Sequence, residues 1–169
     1  RKKEMAAYLI SKGADIESKD KYGKTRLQRA LSKDETVLLI GLGADVNPKD
    51  QFGKTLLHWA VSENKKDIVE LLITNGADVN AKDNEGGTAL HQAVLDNRKE
   101  ILSILIQIGA EINPRDNEGY TPLHRAVSGH SYSEKRELVE LLIRNGADIN
   151  LKNNEGFTPL HTAIEYCGT

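Results

Sequence analysis

The chain alternates between short aliphatic runs at helical spacing and polar stretches rich in turn-forming residues. In one such run Ile68-Val69 is followed by Leu71-Leu72-Ile73, so apolar side chains recur three and four positions apart and predict one buried helix face. The same pattern returns at 101–106 and at 138–143. A shorter pattern places a small apolar residue three positions after a leucine, as in Leu123 and Ala126. Each unit is therefore predicted to hold a short first helix followed by a second helix.

The polar stretches carry two markers that fix a repeat. The pair Gly-Ala recurs with spacings of 30, 33, 33 and 37 residues, and a motif with Asp or Asn three residues before Gly and Thr two residues after it recurs with the same spacings. A fixed period of this length indicates a solenoid of stacked units. Thr is suited to cap the first helix, and the Gly of Gly-Ala is suited to the left-handed position after the second. Asn64 and Asn97, each with an acidic residue three positions on, predict N-caps for the second helices.

These motifs are similar to those of ankyrin repeats, whose signature runs Asp-x-x-Gly-x-Thr-Pro-Leu-His-x-Ala, then Val-x-x-Leu-Leu, then Gly-Ala-Asp-Val-Asn. Residues 116–150 carry nearly all of it. The resemblance implies an all-α solenoid of stacked helix-turn-helix repeats with protruding β-turn fingers. It divides one domain, 1–169, into a partial repeat 1–19, complete repeats 20–49, 50–82, 83–115 and 116–152, and a partial repeat 153–169. Because both ends cut through a repeat, we expect a segment of a longer array or disordered terminal halves.

Two repeats depart from the pattern. Repeat 20–49 is three residues short between its helices, and it has Glu35 and Thr36 where the others have two aliphatic residues. Its second helix is therefore predicted to be shorter and less buried. Repeat 116–152 has four extra residues within 128–133, which are predicted to form a protruding loop.

Composition narrows the function class. The 169 residues are 38% hydrophobic and 28% charged, as in globular proteins, and no apolar run approaches the roughly 20 residues that cross a bilayer. The formal net charge of −2 gives no bulk attraction for nucleic acid or anionic membrane. The single cysteine, Cys167, cannot form an internal disulfide, and this favours an intracellular, most simply cytoplasmic, location.

No residue pattern indicates catalysis, and neither a cofactor nor a metal is expected. The resemblance implies that the recurring histidines link neighbouring turns. His130, in the insertion, is predicted to be exposed. The basic residues that precede each turn (Lys19, Lys49, Lys82, Arg115 and Lys152) form a stripe, which the adjacent aspartates are expected to neutralise.

The remaining candidate is a binding surface. In ankyrin repeats partner contacts concentrate on the finger tips and on the inner side of the first helix. Aromatic side chains at such places are typical of binding hot spots, although they also serve to pack one finger on the next. The tips are basic toward the N-terminal end and acidic toward the C-terminal end. The candidate partner-binding residues are Tyr22, Lys24, Phe52, Lys54, Trp59, Glu85, Glu118, Tyr120, Glu155 and Phe157.

We therefore predict a non-enzymatic protein-protein interaction scaffold or adaptor, monomeric, that binds a protein or peptide segment through its concave surface. One alternative is a regulatory or targeting segment of a larger multidomain enzyme or channel. A second alternative, nucleic-acid or nucleotide binding through the basic stripe, is disfavoured by the near-zero net charge.

Overall fold

The computed structural model describes residues 2–30, 32–128 and 132–165, and within these ranges the backbone forms nine α-helices, one 3-10 turn and no strand. This confirms the predicted all-α repeat architecture. The predictions for His130 and Cys167 fall outside the described residues. The helices are α1 (Lys2–Ser11), α2 (Lys33–Gly41), α3 (Leu56–Ser62), α4 (Lys66–Thr74), α5 (Ala89–Leu95), α6 (Lys99–Gln107), α7 (Pro122–Val127), α8 (Tyr132–Arg144) and α9 (Pro159–Glu165), and the 3-10 turn is Leu27–Arg29.

The helices stack in two rows. The first helices α3, α5, α7 and α9 pack in sequence against one another, and α3, α5 and α7 each pack against the second helix that follows them. One continuous core runs between the rows, because α3, α5 and α7 each contribute a fully buried leucine (Leu57, Leu90 and Leu123) to it. The second helices close the core from the other side with residues such as Leu72, Leu105 and Leu142.

Each first helix begins at the predicted threonine. At the start of α7, the Thr121 backbone N–H donates to His124 Nδ1 at 3.2 Å, and Thr121 Oγ1 accepts from the His124 backbone N–H at 3.4 Å. The same capping box joins Thr55 to His58 and Thr88 to His91. Histidine here does the work that Glu or Gln does in the usual capping box.

The helix ends explain why the predicted asparagine N-caps are wrong. Asn64 has a φ of 58°, and its N–H donates to Val61 O while the next N–H, of Lys65, donates to Ala60 O. This pair of bonds ends α3 with a Schellman motif, so Asn64 lies after the first helix and not at the start of the second. Asn97 has a φ of 55° in the same place after α5. Asparagine is used there because it tolerates the left-handed conformation.

Repeat 20–49 is shortened in a different place from the one predicted. Its second helix, α2, has nine residues, as α4 does, whereas its first helix is reduced to the 3-10 turn. Ser32 accepts from the Glu35 N–H and caps α2, so the second helix begins almost directly after Ala30 and the first has no room for two turns. The lower burial of α2 is confirmed, because its buried residues are Thr36 and Leu39 only.

The insertion in repeat 116–152 also differs from the prediction. The backbone of 132–133 is helical and begins α8, which has 13 residues where α4 and α6 have nine. The four extra residues therefore appear as one added helical turn, consistent with the strong helix formers Glu, Lys, Arg and Leu that follow. Residues 129–131 of the predicted loop lie outside the described ranges.

Candidate partner-binding face

Five tight turns present the predicted tip residues: 20–24, 50–54, 83–87, 116–120 and 153–157. In the second, the Asp50 N–H donates to Lys54 O at 3.0 Å and the Gly53 N–H donates to Asp50 O at 2.9 Å. Asp50 Oδ1 accepts from the N–H groups of Phe52 and Lys54 at 2.9 and 3.0 Å. The other turns repeat this pattern, so the first residue of each turn fixes its backbone. We use the term turn face for the surface formed by these five turns together with the residue that directly follows each histidine of the first helices.

Hydrogen bonds join successive turns. The backbone N–H of Asn84 donates to Phe52 O at 3.0 Å, and that of Asn117 donates to Glu85 O at 2.9 Å. Their side-chain amides donate to carbonyl oxygens of the preceding turn as well, at 3.0 and 2.8 Å. Asn154 makes both bonds to the turn before it. The last four turns therefore form one continuous hydrogen-bonded row.

The recurring histidines of the first helices link neighbouring turns, as predicted. His58, His91 and His124 Nε2 lie 3.3, 3.1 and 3.0 Å from the carbonyl oxygens of Gly87, Tyr120 and Phe157. Because each Nδ1 accepts a backbone N–H, the proton must lie on Nε2, which donates to the carbonyl. Burial lowers the pKa of all three histidines below the ordinary value of 6.5, so they are neutral at pH 7.

The lysines of the basic stripe form hydrogen bonds with partners other than the predicted aspartates. Lys19 Nζ donates to Lys49 O at 2.9 Å, Lys49 Nζ to Lys82 O at 2.6 Å, and Lys82 Nζ to Arg115 O at 2.9 Å. The carboxylates of the adjacent aspartates instead accept hydrogen bonds from backbone N–H groups of their own turns, which lie only a few residues away in the sequence. The lysines of the stripe therefore bond one repeat to the next.

The N-terminal part of the turn face brings Lys24, Lys54 and Trp59 together. Lys24 Nζ lies 3.7 Å and Lys54 Nζ 5.5 Å from the Trp59 ring centroid, within cation-π range. Trp59 Nε1 donates to Asp50 Oδ2 at 2.9 Å, which orients the indole. Phe52, 53% exposed, borders a cleft of about 310 Å³ with Lys54, Trp59 and Glu85. Tyr22 is 44% exposed on the first turn.

The aromatic side chains of the C-terminal part also make internal contacts. The Tyr120 ring lies 4.3 Å from the Arg125 guanidinium carbon and packs edge-on against His124, and Phe157 stacks on His161. Glu118 is exposed but pairs with Arg125 at 2.8 Å. Glu85 and Glu155 are exposed, and Glu155 borders a cleft of about 300 Å³ with Glu118 and Tyr120. Packing therefore accounts for part of the aromatic pattern in these two turns, whereas Phe52 and Tyr22 remain exposed.

One feature of the face was missed from the sequence. The residue nine positions after the first turn residue reaches back to the second carboxylate oxygen, as Arg29 does to Asp20 and Arg125 to Asp116. Trp59 makes the equivalent bond to Asp50. The signal for this contact in the sequence is a side-chain hydrogen-bond donor that recurs nine residues after the aspartate that begins a turn.

The part of the chain that the structure describes lacks two other kinds of site, a metal centre and a membrane-spanning helix. No group of three or more His, Cys, Asp or Glu side chains there is arranged to hold a metal ion. Likewise, none of the helices described is both long and apolar enough to span a membrane.

Comparison with known families agrees with the geometry. A family model described as ankyrin repeats (3 copies) matches residues 33–116, 57–152 and 115–168. No curated protein gave a significant match. Ankyrin repeats are generally protein-protein interaction modules, and the family is typically non-enzymatic. With matches that together run from residue 33 to residue 168, the chain belongs to the ankyrin-repeat family.

Proposed function

We propose that the chain is a non-enzymatic scaffold or adaptor that binds an extended protein segment across its turn face. The proposal rests on one observation above all: exposed side chains project from turns that are hydrogen-bonded to one another and held by buried histidines. Phe52 and Glu85, for example, flank a bond between turns that fixes their spacing. A surface ordered before binding loses little conformational entropy when a partner docks.

Charge order further defines the partner. Lys24 and Lys54 lie toward the N-terminal end of the face, and Glu85, Glu118 and Glu155 lie toward the C-terminal end. A segment whose acidic part lies over the lysines and whose basic part lies over the glutamates is complementary to this order. A uniformly anionic polymer is not. We further propose that the array acts as a single intracellular domain of five successive turns and functions as a monomer.

Charge reversal and aromatic truncation test the proposal on a partner captured by pull-down. Lys24→Glu with Lys54→Glu should lower the association rate, because steering by complementary charge acts before contact. Phe52→Ala should instead raise the dissociation rate, since it removes a contact made only in the complex.

The matched control reverses two exposed lysines on second helices, Lys66→Glu and Lys99→Glu, and so makes the same change in net charge away from the turn face. If the control impairs binding as much as the turn-face variants do, the partner binds elsewhere. If none of the turn-face variants alters either rate, the proposed face is wrong.

A further inference from the structure

The turns reuse one arrangement around the second carboxylate oxygen of their first residue. While Oδ1 accepts the turn amides, Oδ2 accepts a side-chain donor from the helix that follows. In three turns this donor is present, at 2.6 to 3.0 Å: Arg29 on Asp20, Trp59 on Asp50 and Arg125 on Asp116.

The third turn lacks this donor. The residue in the equivalent position, Gln92, instead donates to Asp96 at 2.7 Å and accepts from Lys54 Nζ at 3.2 Å. Among the described residues no side chain donates to Asp83 Oδ2. The last turn residue is Gly87, where a Cβ would lie only 3.3 Å from that oxygen. The glycine therefore leaves the Asp83 carboxylate uncovered.

The fourth turn shows what such a carboxylate can hold. Arg125 Nη2 donates to Asp116 at 2.6 Å and to Glu118 at 2.8 Å, so one guanidinium bridges the first and third residues of the turn. The backbone of the third turn has the same bonds, with Asp83 Oδ1 accepting from Glu85 and Gly87 at 3.0 and 2.8 Å. Glu85 therefore occupies the same position relative to Asp83 as Glu118 occupies relative to Asp116.

A cleft of about 340 Å³ opens at this place, large enough for a side chain. Its ionisable lining consists of Lys54, Asp83, Glu85, His91, Asp116 and Arg125. The two cations already have partners, since Arg125 binds Asp116 and Lys54 binds Gln92. His91 is neutral, because burial lowers its pKa. The carboxylates thus outnumber the cations, and those of Asp83 and Glu85 are available to a ligand.

We propose that this cleft binds the guanidinium group of an arginine in the partner segment, held by Asp83 and Glu85 as Arg125 is held by Asp116 and Glu118. The inference rests on the proposed function, because it takes the ligand to be a protein side chain. Arginine is favoured over lysine because a planar fork donates to two carboxylates at once, whereas an ammonium acts as a point charge.

Two substitutions test the site with precedents in this chain. Asp83→Asn removes the charge but keeps the Oδ1 acceptor, as Asn153 shows by accepting from the turn amides of Glu155 and Phe157. Gln92→Arg should place an arginine of the chain itself on Asp83, in the way that Arg125 lies on Asp116, and so block the site. The control is Glu100→Gln on α6, which makes the same charge change as Asp83→Asn at a side chain that is 80% exposed.

The experiment is an NMR titration of the chain with Nα-acetyl-arginine amide, with the citrulline and lysine amides as comparisons. We expect the backbone amides of Glu85 and Gly87 to shift with arginine, less with lysine and not with citrulline. Asp83→Asn should weaken binding by about 10- to 100-fold, the loss of a charge-assisted bond, and Gln92→Arg should abolish it. Glu100→Gln should bind as the unmodified chain does.

The proposal is overturned if arginine amide leaves Glu85 and Gly87 unshifted, if citrulline shifts them equally, or if Glu100→Gln weakens binding as much as Asp83→Asn. A captured partner separates this failure from that of the proposed function. Binding that depends on Phe52 but not on Asp83 refutes the arginine site alone.

Discussion

Replacing the inter-turn histidines by glutamine should preserve the hydrogen bonds between turns and remove a dependence of stability on pH. The chain already contains the substitute. Gln28 occupies the histidine position of repeat 20–49, where Oε1 accepts from the Thr25 N–H at 2.9 Å and Nε2 donates to Lys54 O at 3.2 Å. His91→Gln should therefore keep both bonds, whereas His91→Ala leaves the buried Thr88 N–H without a partner and removes one of the two hydrogen bonds to Tyr120 O, which still accepts from the Asp116 N–H.

The structure sets the size of the two effects. His91 is 3% exposed and joins the Thr88 N–H to Tyr120 O at 3.2 and 3.1 Å. The unsatisfied Thr88 N–H costs about 1–3 kcal/mol and the lost bond to Tyr120 O about 1 kcal/mol, so His91→Ala should lower the free energy of unfolding by about 2–4 kcal/mol. His91→Gln should change it by less than about 1 kcal/mol at pH 7.5.

The sign of the pH effect follows from the lowered pKa values. The folded histidines bind fewer protons than the unfolded ones, whose pKa is 6.5, because burial disfavours the charged imidazolium and so lowers the pKa of each histidine. Their stabilisation is present above pH 6.5 and is lost as the pH falls below it toward the folded pKa. Within that window each histidine contributes a slope of about 1.4 kcal/mol per pH unit.

Urea denaturation at pH 7.5 and pH 5.5 measures both effects. We expect the triple variant His58→Gln, His91→Gln and His124→Gln to lose much less stability between these pH values than the unmodified chain. An equal loss would show that carboxylates and not the histidines govern stability in this range. A His91→Gln variant as unstable as His91→Ala at pH 7.5 would refute the equivalence with Gln28.

Two further predictions concern backbone and packing. Gly53 and Gly146 both have positive φ, but a Cβ at Gly53 would lie 2.7 Å from the Asn84 backbone nitrogen, whereas one at Gly146 would meet no atom within 4 Å. In thermal denaturation Gly53→Ala should therefore be less stable than Gly146→Ala by at least about 1 kcal/mol, and equal stabilities would show that the turns can separate. Hydrogen exchange should open 33–41 before 66–74, because Thr36 and Glu35 forgo burial of aliphatic groups worth roughly 1.5 to 3 kcal/mol each; equal protection of the two helices would contradict this.

The fold could be predicted because its signals are local and repeated. Thr121, Pro122 and the Gly of each Gly-Ala pair act through their own conformational preferences, so their positions in the sequence suffice to locate helix starts and ends. Ser32 and Asn64 could not be assigned in this way. Either residue type caps a helix or occupies a turn, and the choice depends on how many residues separate the two helices.

The site was less predictable because its contacts join residues of different repeats. The lysine stripe bonds to carbonyl oxygens about one repeat away, and no property of Lys49 or Lys82 in the sequence specifies that partner. The open carboxylate of Asp83 is visible only by comparison with Asp116, since it depends on where the side chain of residue 92 turns.

The central claim, that the turn face binds the partner, is tested most directly by hydroxyl-radical footprinting of the chain alone and in complex with a captured partner. Tyr22 and Phe52 on the turn face are 44% and 53% exposed, and Ile108 and Ile143, in or next to the second helices, are 41% and 45% exposed. These matched exposures make the two sets comparable. We predict that the partner reduces labelling of Phe52 and Tyr22 and leaves Ile108 and Ile143 unchanged; protection of the isoleucines with unchanged labelling of Phe52 and Tyr22 would contradict the account.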